Sequence, residues 1–176
     1  MGEAKYYATS TDTTVGPAGE DFNKVLSPTE PGSGNVQASI RKSDTETQYL
    51  NTQSPEPNET DWDKSFTFDY DNGTASADAH LTVSFLRIDS GGTVVETKAS
   101  DTGETTLSSA TTYTFQLASP TWTSPAASDL LGVQLVLRNS HTKDAYTMQL
   151  NLPGTLVSKT PWGASPARRA LLGVGR

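Results

Sequence analysis

Two histidines, His80 and His141, and 20 Asp and Glu residues are the side chains of this 176-residue sequence best suited to move protons. A nucleophilic triad needs a nucleophile, a base and an orienting acid within hydrogen-bond reach. Serines and aspartates surround both histidines, yet no GxSxG elbow or comparable motif accompanies them. His141 falls in the polar connection NSHTKD, and His80 opens an alternating strand-like run, so both read as structural. A carboxylate pair for glycoside cleavage can always be picked from so many acids, so that match selects nothing.

The densest set of hard-cation ligands is ETDWDKSFTFDYDNG, with Asp61, Asp63, Asp69 and Asp71. Its DYDNG end is shorter than an EF-hand loop and lacks the distal glutamate, so it reads as a strand edge closing in an Asn-Gly turn. The absence of cysteine removes thiol nucleophiles, thiolate metal sites and disulfides. No cofactor, metal or catalytic residue is expected, and the chain is read as a non-enzyme. Trp62 reads as a cap on one end of the fold. Trp122, in SPTWTSP, is the best candidate for an exposed aromatic platform, although its flanking prolines favour a rigid loop with the ring packed down. Two sequons, NET at Asn58 and NGT at Asn72, fall in expected loops.

The elements that must hold these residues have a period of two. Val36, Ala38 and Ile40 alternate with polar residues, as do Phe66, Phe68 and Tyr70, then Tyr113, Phe115 and Leu117. Leu131, Val133, Leu135 and Leu137 form a fourth apolar face, and Tyr146, Met148, Leu150 and Leu152 a fifth. LTVSFLRI starts on Leu81, Val83 and Phe85 and then changes phase to Leu86 and Ile88, which predicts a bulge or a strand buried on both faces. DSGG at 89–92 predicts a hairpin from this run to TVVETK. With KYYA and TQYL as weaker strands, the chain is expected to be all-β: an antiparallel, jelly-roll-like β-sandwich of about eight strands. Residues 1–35 read as an extended N-terminal arm and loop, 36–152 as the sandwich, and 153–176 as a C-terminal tail after Pro153-Gly154.

Composition agrees with a thin, two-layer core. Only 34% of residues are hydrophobic, and Thr and Ser number 45, which favours strands and turns. Apolar runs are too short to span a bilayer, so no membrane partner is expected. MGEAKYYATSTD lacks the apolar region of a signal peptide, and Tyr6 stands where a myristoylation start needs Ser or Thr.

Charge divides the chain. Residues 1–144 hold 9 Lys and Arg against 20 Asp and Glu, a net of −11, whereas residues 145–176 hold four cations and no acid. The acidic body argues against nucleic acid and suits high salt. The tail SPARRALLG reads as a short helix, with Ser165 as N-cap, Pro166 at the first position and Gly173 as the stop. A helix of about two turns is not stable alone in water. Trp162, Leu171 and Leu172 would grip a partner surface, and Arg168, Arg169 and Arg176 would select an acidic one.

The opening KYYATSTD, the strand TDWDKSFTFDY and the late pair LLGVQLVLRNS and AYTMQLNL resemble the small β-sandwich accessory proteins of tailed viruses, including haloarchaeal ones. That resemblance spans roughly residues 5–152. It implies a virion component such as a capsid decoration or cement protein, present in many copies, with the major capsid protein or another virion protein as partner. It supplies no ligand or catalytic residue. The alternative is a carbohydrate-binding or host-adhesion sandwich of a tail, spike or pilus.

Overall fold

A computed structural model describes residues 5–13, 15, 23–32, 34–52, 66–72, 76–118, 122–123, 126, 128–143, 146–151 and 155–158. These form twelve strands: β1 (Lys5–Asp12), β2 (Asn23–Ser27), β3 (Asn35–Ile40), β4 (Thr45–Thr52), β5 (Phe66–Asp71), β6 (Ala79–Ile88), β7 (Val94–Ala99), β8 (Thr105–Thr106), β9 (Thr112–Gln116), β10 (Leu130–Asn139), β11 (Tyr146–Asn151) and β12 (Thr155–Ser158). The fold is all-β, and no helix occurs among the described residues.

Ten strands make one sheet in the order β7-β6-β10-β4-β2-β1-β12-β5-β9, with β8 on the edge of β6. Every pairing is antiparallel except β2 with β4, which is parallel. The sheet folds over on itself, so that Phe66 of β5 stacks on Phe85 of β6 with ring centroids 6.2 Å apart. Its two edges meet where Ser100, just past β7, bridges Leu117, just past β9. That contact joins the two edges at one point, at the ends of β7 and β9. β3 and β11 form a second, two-stranded sheet.

Alternation builds the core, because side chains two apart share a face. Leu81, Val83 and Phe85 of β6 and Leu131, Val133, Leu135 and Leu137 of β10 meet Phe66, Phe68 and Tyr70 of β5 and Phe115 of β9. The expected phase change is real: Leu86 and Ile88 turn to the opposite face, where they pack with Tyr49, Leu130, Val15 and Val94. The β6–β10 ladder stays in register throughout, and the irregularity lies on the β7 side, between Arg87 and Ile88. Gly132 is required there, since a Cβ would meet Ile88 Cδ1 at 2.7 Å and Leu50 O at 3.2 Å. The predicted hairpin is present, with Asp89 Oδ1 accepting from the N–H groups of Gly91 and Thr93, both at 2.9 Å.

The large sheet takes in strands beyond the stretch read as the sandwich. β1 and β2, in the stretch read as an arm, are interior strands of the large sheet, and β12 follows Pro153-Gly154 to lie between β1 and β5. The sheet therefore draws on residues on both sides of 36–152. β2 and β12 have five and four residues, too few to show a period, and their neighbours in the sheet determine their conformation.

Candidate functional site

Three polar groupings were candidates for chemistry. The first lies at one end of the four-stranded layer, where β8, β6, β10 and β4 set Thr106, His80, Arg138 and Thr45 in one cross-strand row. His80 Nε2 is 3.1 Å from Ser140 Oγ, and Nδ1 is 3.2 Å from Thr106 Oγ1. Glu104 Oε2 lies 3.9 Å from His80 Nδ1, and the Glu104 carboxylate accepts from Arg138 Nε at 2.8 Å and Nη2 at 2.6 Å. This fork holds the Glu104 carboxyl below the usual glutamate range, against a smaller opposing effect of desolvation, with His80 adding to the lowering.

Serine, histidine and carboxylate thus stand in the order of a hydrolytic triad, but their bonds point elsewhere. Ser140 Oγ also lies 3.3 Å from both Asp78 O and Asp78 Oδ1, and these acceptors draw its proton away from His80. An acyl transferase needs free donors where the oxyanion forms. Here the Ser140 N–H is donated to Asp78 O and the His141 N–H to Asn139 Oδ1, both at 2.9 Å. The neighbouring open cleft of about 270 Å³ is lined by Ser43, Asp44, Thr45, Arg138, Asn139 and Ser140, not by His80. The cluster instead fastens a corner of the fold. Ser43, at φ 52°, donates its N–H to His141 O at 3.0 Å, and Asn139 N–H reaches Asp44 O at 2.9 Å. His141 lies in this same corner, where its Nδ1 accepts from Lys143 N–H at 3.3 Å.

The second grouping surrounds Trp122. Its ring is 4% exposed, set edge-on to Phe66 at 6.4 Å and beneath Lys98 Nζ at 5.9 Å. It is packed down rather than presented as a platform. Above it, Arg87 donates to Asp129 Oδ2 at 2.6 Å and to Thr123 O at 2.9 Å, with Glu96 Oε2 3.5 Å from Arg87 Nε. Asp129 Oδ2 also accepts from Ala126 N–H at 2.9 Å. Burial opposes ionisation of Glu96, but the Thr123 N–H, Lys98 and Arg87 together outweigh it and keep the carboxyl below its ordinary range. These ions tie Thr123, Ala126 and Asp129 together beside the buried Trp122 ring. Arg87, embedded in an apolar run beside the phase change, was the only trace of this clamp in the sequence.

The third grouping was the carboxylate cluster. Asp69 Oδ1 accepts from Thr114 Oγ1 at 2.7 Å across the β5–β9 ladder, a strand-to-strand tie. No group of three or more metal-ligating side chains exists among the described residues. Asn72 is 1% exposed, so the asparagine side chain of that sequon is buried. Asn58, Asp61, Trp62 and Asp63, with the expected docking residues Trp162, Arg168, Arg169, Leu171, Leu172 and Arg176, lie outside the described residues.

No protein-family model matches the chain, and no curated protein matches it in sequence. Among solved structures it is similar to a chain of infectious bursal disease virus, Gx strain, with TM-score 0.44 and 12% identity over 90% of this chain and 39% of that one. The VP2 subviral particle of the same virus gives TM-score 0.40 and 16% identity over 84% and 37%. The Gt strain gives 0.38 and 13% over 86% and 38%. The chain spans less than two fifths of the length of each, and the likeness is distant.

Proposed function

We propose that this chain is a non-enzymatic structural component of a virion, an accessory or decoration module present in multiple copies and attached to the particle lattice by its terminal segments. The observation that carries the reading is the division of charge: four cations and no acid in residues 145–176, against a net of −11 in residues 1–144. An all-β body whose sheet folds over on itself supports it. The segments resembling tailed-virus accessory proteins include β1, β5, β10 and β11, which supports the same reading. Weak contacts repeated over many copies reinforce one another. The partner surface is acidic and offers apolar contacts to Trp162, Leu171 and Leu172, on the major capsid protein, another virion protein or a second copy.

The test is co-sedimentation of the full-length protein with purified particles. Arg168→Glu with Arg169→Glu should abolish binding while leaving thermal unfolding unchanged. A shortened chain must keep β12, so truncation belongs after Ser158 rather than at Gly154. Undiminished binding by both forms would refute docking through the tail.

A further inference from the structure

The open cleft of about 270 Å³ beside the fastened corner is lined by polar residues alone: Ser43, Asp44, Thr45, Arg138, Asn139 and Ser140. It lies between two turns, 41–44 and 139–143, that are bonded to each other. Ser43 N–H reaches His141 O at 3.0 Å, Asn139 N–H reaches Asp44 O at 2.9 Å, and Asn139 Nδ2 donates to Arg41 O at 3.2 Å. The cleft is therefore formed before a ligand arrives, and its walls need little ordering on binding. Asn139 and Ser140 spend their side chains on the fold. Three other lining groups keep capacity. Asp44 Oδ1 accepts from Thr45 N–H at 2.9 Å, while Oδ2 has no hydrogen bond among the described residues. Arg138 gives Nε and Nη2 to Glu104, which leaves Nη1 over. The exposed Thr45 hydroxyl, across the β10–β4 ladder from Arg138, has no hydrogen bond among the described residues either.

The chemistry of this set selects the ligand. An inorganic anion would meet the Asp44 carboxylate, and the charge of Arg138 is already balanced by Glu104 at 2.6 Å. A hard cation needs several oxygen ligands at one point, and no group of three metal-ligating side chains exists among the described residues. An apolar ligand would find no apolar wall. Hydroxyl groups fit, because each both donates and accepts. Neighbouring hydroxyls can donate to Asp44 Oδ2 and accept from Arg138 Nη1 together. The volume is below the roughly 300–1,000 Å³ of pockets that take drug-sized ligands, which limits the occupant to about one ring. We propose that this cleft binds a neutral sugar residue at the end of a glycan, independently of docking by the tail. One such contact is weak, and copies arrayed on a particle would hold a glycan-bearing surface by adding many.

The experiment is an amide NMR titration of the full-length protein with the methyl glycosides of glucose, galactose and mannose. Each is added to about 50 mM, in about 0.1 M and about 1 M salt. At least one glycoside should shift the amides of residues 43–45 and 138–140, with the same affinity in both salts because the ligand carries no charge. Asp44→Ala, checked by thermal unfolding for an intact fold, should weaken binding about tenfold through loss of a charge-assisted hydrogen bond. Thr45→Val should also weaken it, and Thr45→Ser, which keeps the hydroxyl, should bind like the parent. No shift at these amides with any glycoside, or unchanged binding by a folded Asp44→Ala variant, overturns the proposal. Sulfate that shifts the same amides while the sugars do not also overturns it and makes the cleft an anion site. Binding of the free reducing sugars alone, with the glycosides excluded, overturns a glycan end as the source.

Discussion

Replacing Asp129 with alanine tests the clamp over Trp122 most directly. The carboxylate is 4% exposed and one of its oxygens serves both Arg87 Nη1 and the Ala126 N–H. The Arg87 side chain is 12% exposed, so removing its partner leaves a largely buried charge. Breaking such a pair costs about 3–5 kcal/mol. Arg87 keeps Thr123 O and a long contact to Glu96, which puts the expected loss at the lower end, about 3 kcal/mol. For a chain of this length that is a fall in Tm of about 6–12 °C. The assay is thermal unfolding followed by circular dichroism for Asp129→Ala, Arg87→Met and the double variant. With both charges gone, no ion is left buried without its partner, so the double variant should be less destabilised than the sum of the single ones by about 2 kcal/mol. A Tm change under about 2 °C for Asp129→Ala, or additivity within about 0.5 kcal/mol, would refute the clamp.

Gly132→Ala should destabilise the protein by about 1–3 kcal/mol in chemical denaturation, since the added methyl meets a backbone oxygen that cannot move aside; a stabilised variant would show that the layer yields. Acid sensitivity follows from Glu96 and Glu104, whose carboxyls are held below their ordinary range. Between the folded and unfolded pKa values the unfolded chain binds more protons, so this stability is present above the ordinary glutamate pKa and lost as pH falls through the folded value. Arg138→Met should therefore flatten the acid limb of a Tm-against-pH curve, and an unchanged limb would remove Glu104 from the account. A fluorophosphonate probe should leave Ser140 unlabelled in intact-mass and peptide analysis; stoichiometric labelling that His80→Ala abolishes would establish a working nucleophile. In a glycosylating host, peptide mapping of folded protein should find Asn72 unmodified, given its burial; a fully occupied site would contradict the placement of β5.

The sandwich was legible because long strands in a two-layer fold alternate over much of their length, as β6 does up to Phe85 and β10 does from Val133 onward. The double burial at the end of β6 was legible for the same reason, as a change of phase at Leu86. The corner cluster was not. His80 and Ser140 are 60 positions apart and meet only because β6 and β10 pair in one particular register, which no local pattern states. Trp122 was legible in part: its flanking prolines favoured a ring packed down, but its partners, Phe66 below and Lys98 above, come from distant strands that no local pattern names.

The short strands at the two ends of the sequence matter most for how the protein can be used. β12 bonds to β1 on one side and β5 on the other, and β2 joins β1 to the four-stranded layer through the parallel pairing with β4. Losing β12 would open the sheet between β1 and β5 and expose the ladder faces of both. The terminal strands thus connect the two layers, and whatever attaches through the segment after Ser158 pulls on β12. Force applied there runs parallel to a strand held by hydrogen bonds on both sides, so detachment from the partner would precede unfolding if the tail contact is weaker than those two ladders. Thr155→Pro removes the N–H of a residue registered opposite both Tyr7 and Asp69 and would weaken that anchorage without touching the cationic tail. A variant that stays folded and bound in bulk but unfolds before it detaches under single-molecule load would locate the weak link in β12. A variant indistinguishable from the parent would show that β12 does not bear the load.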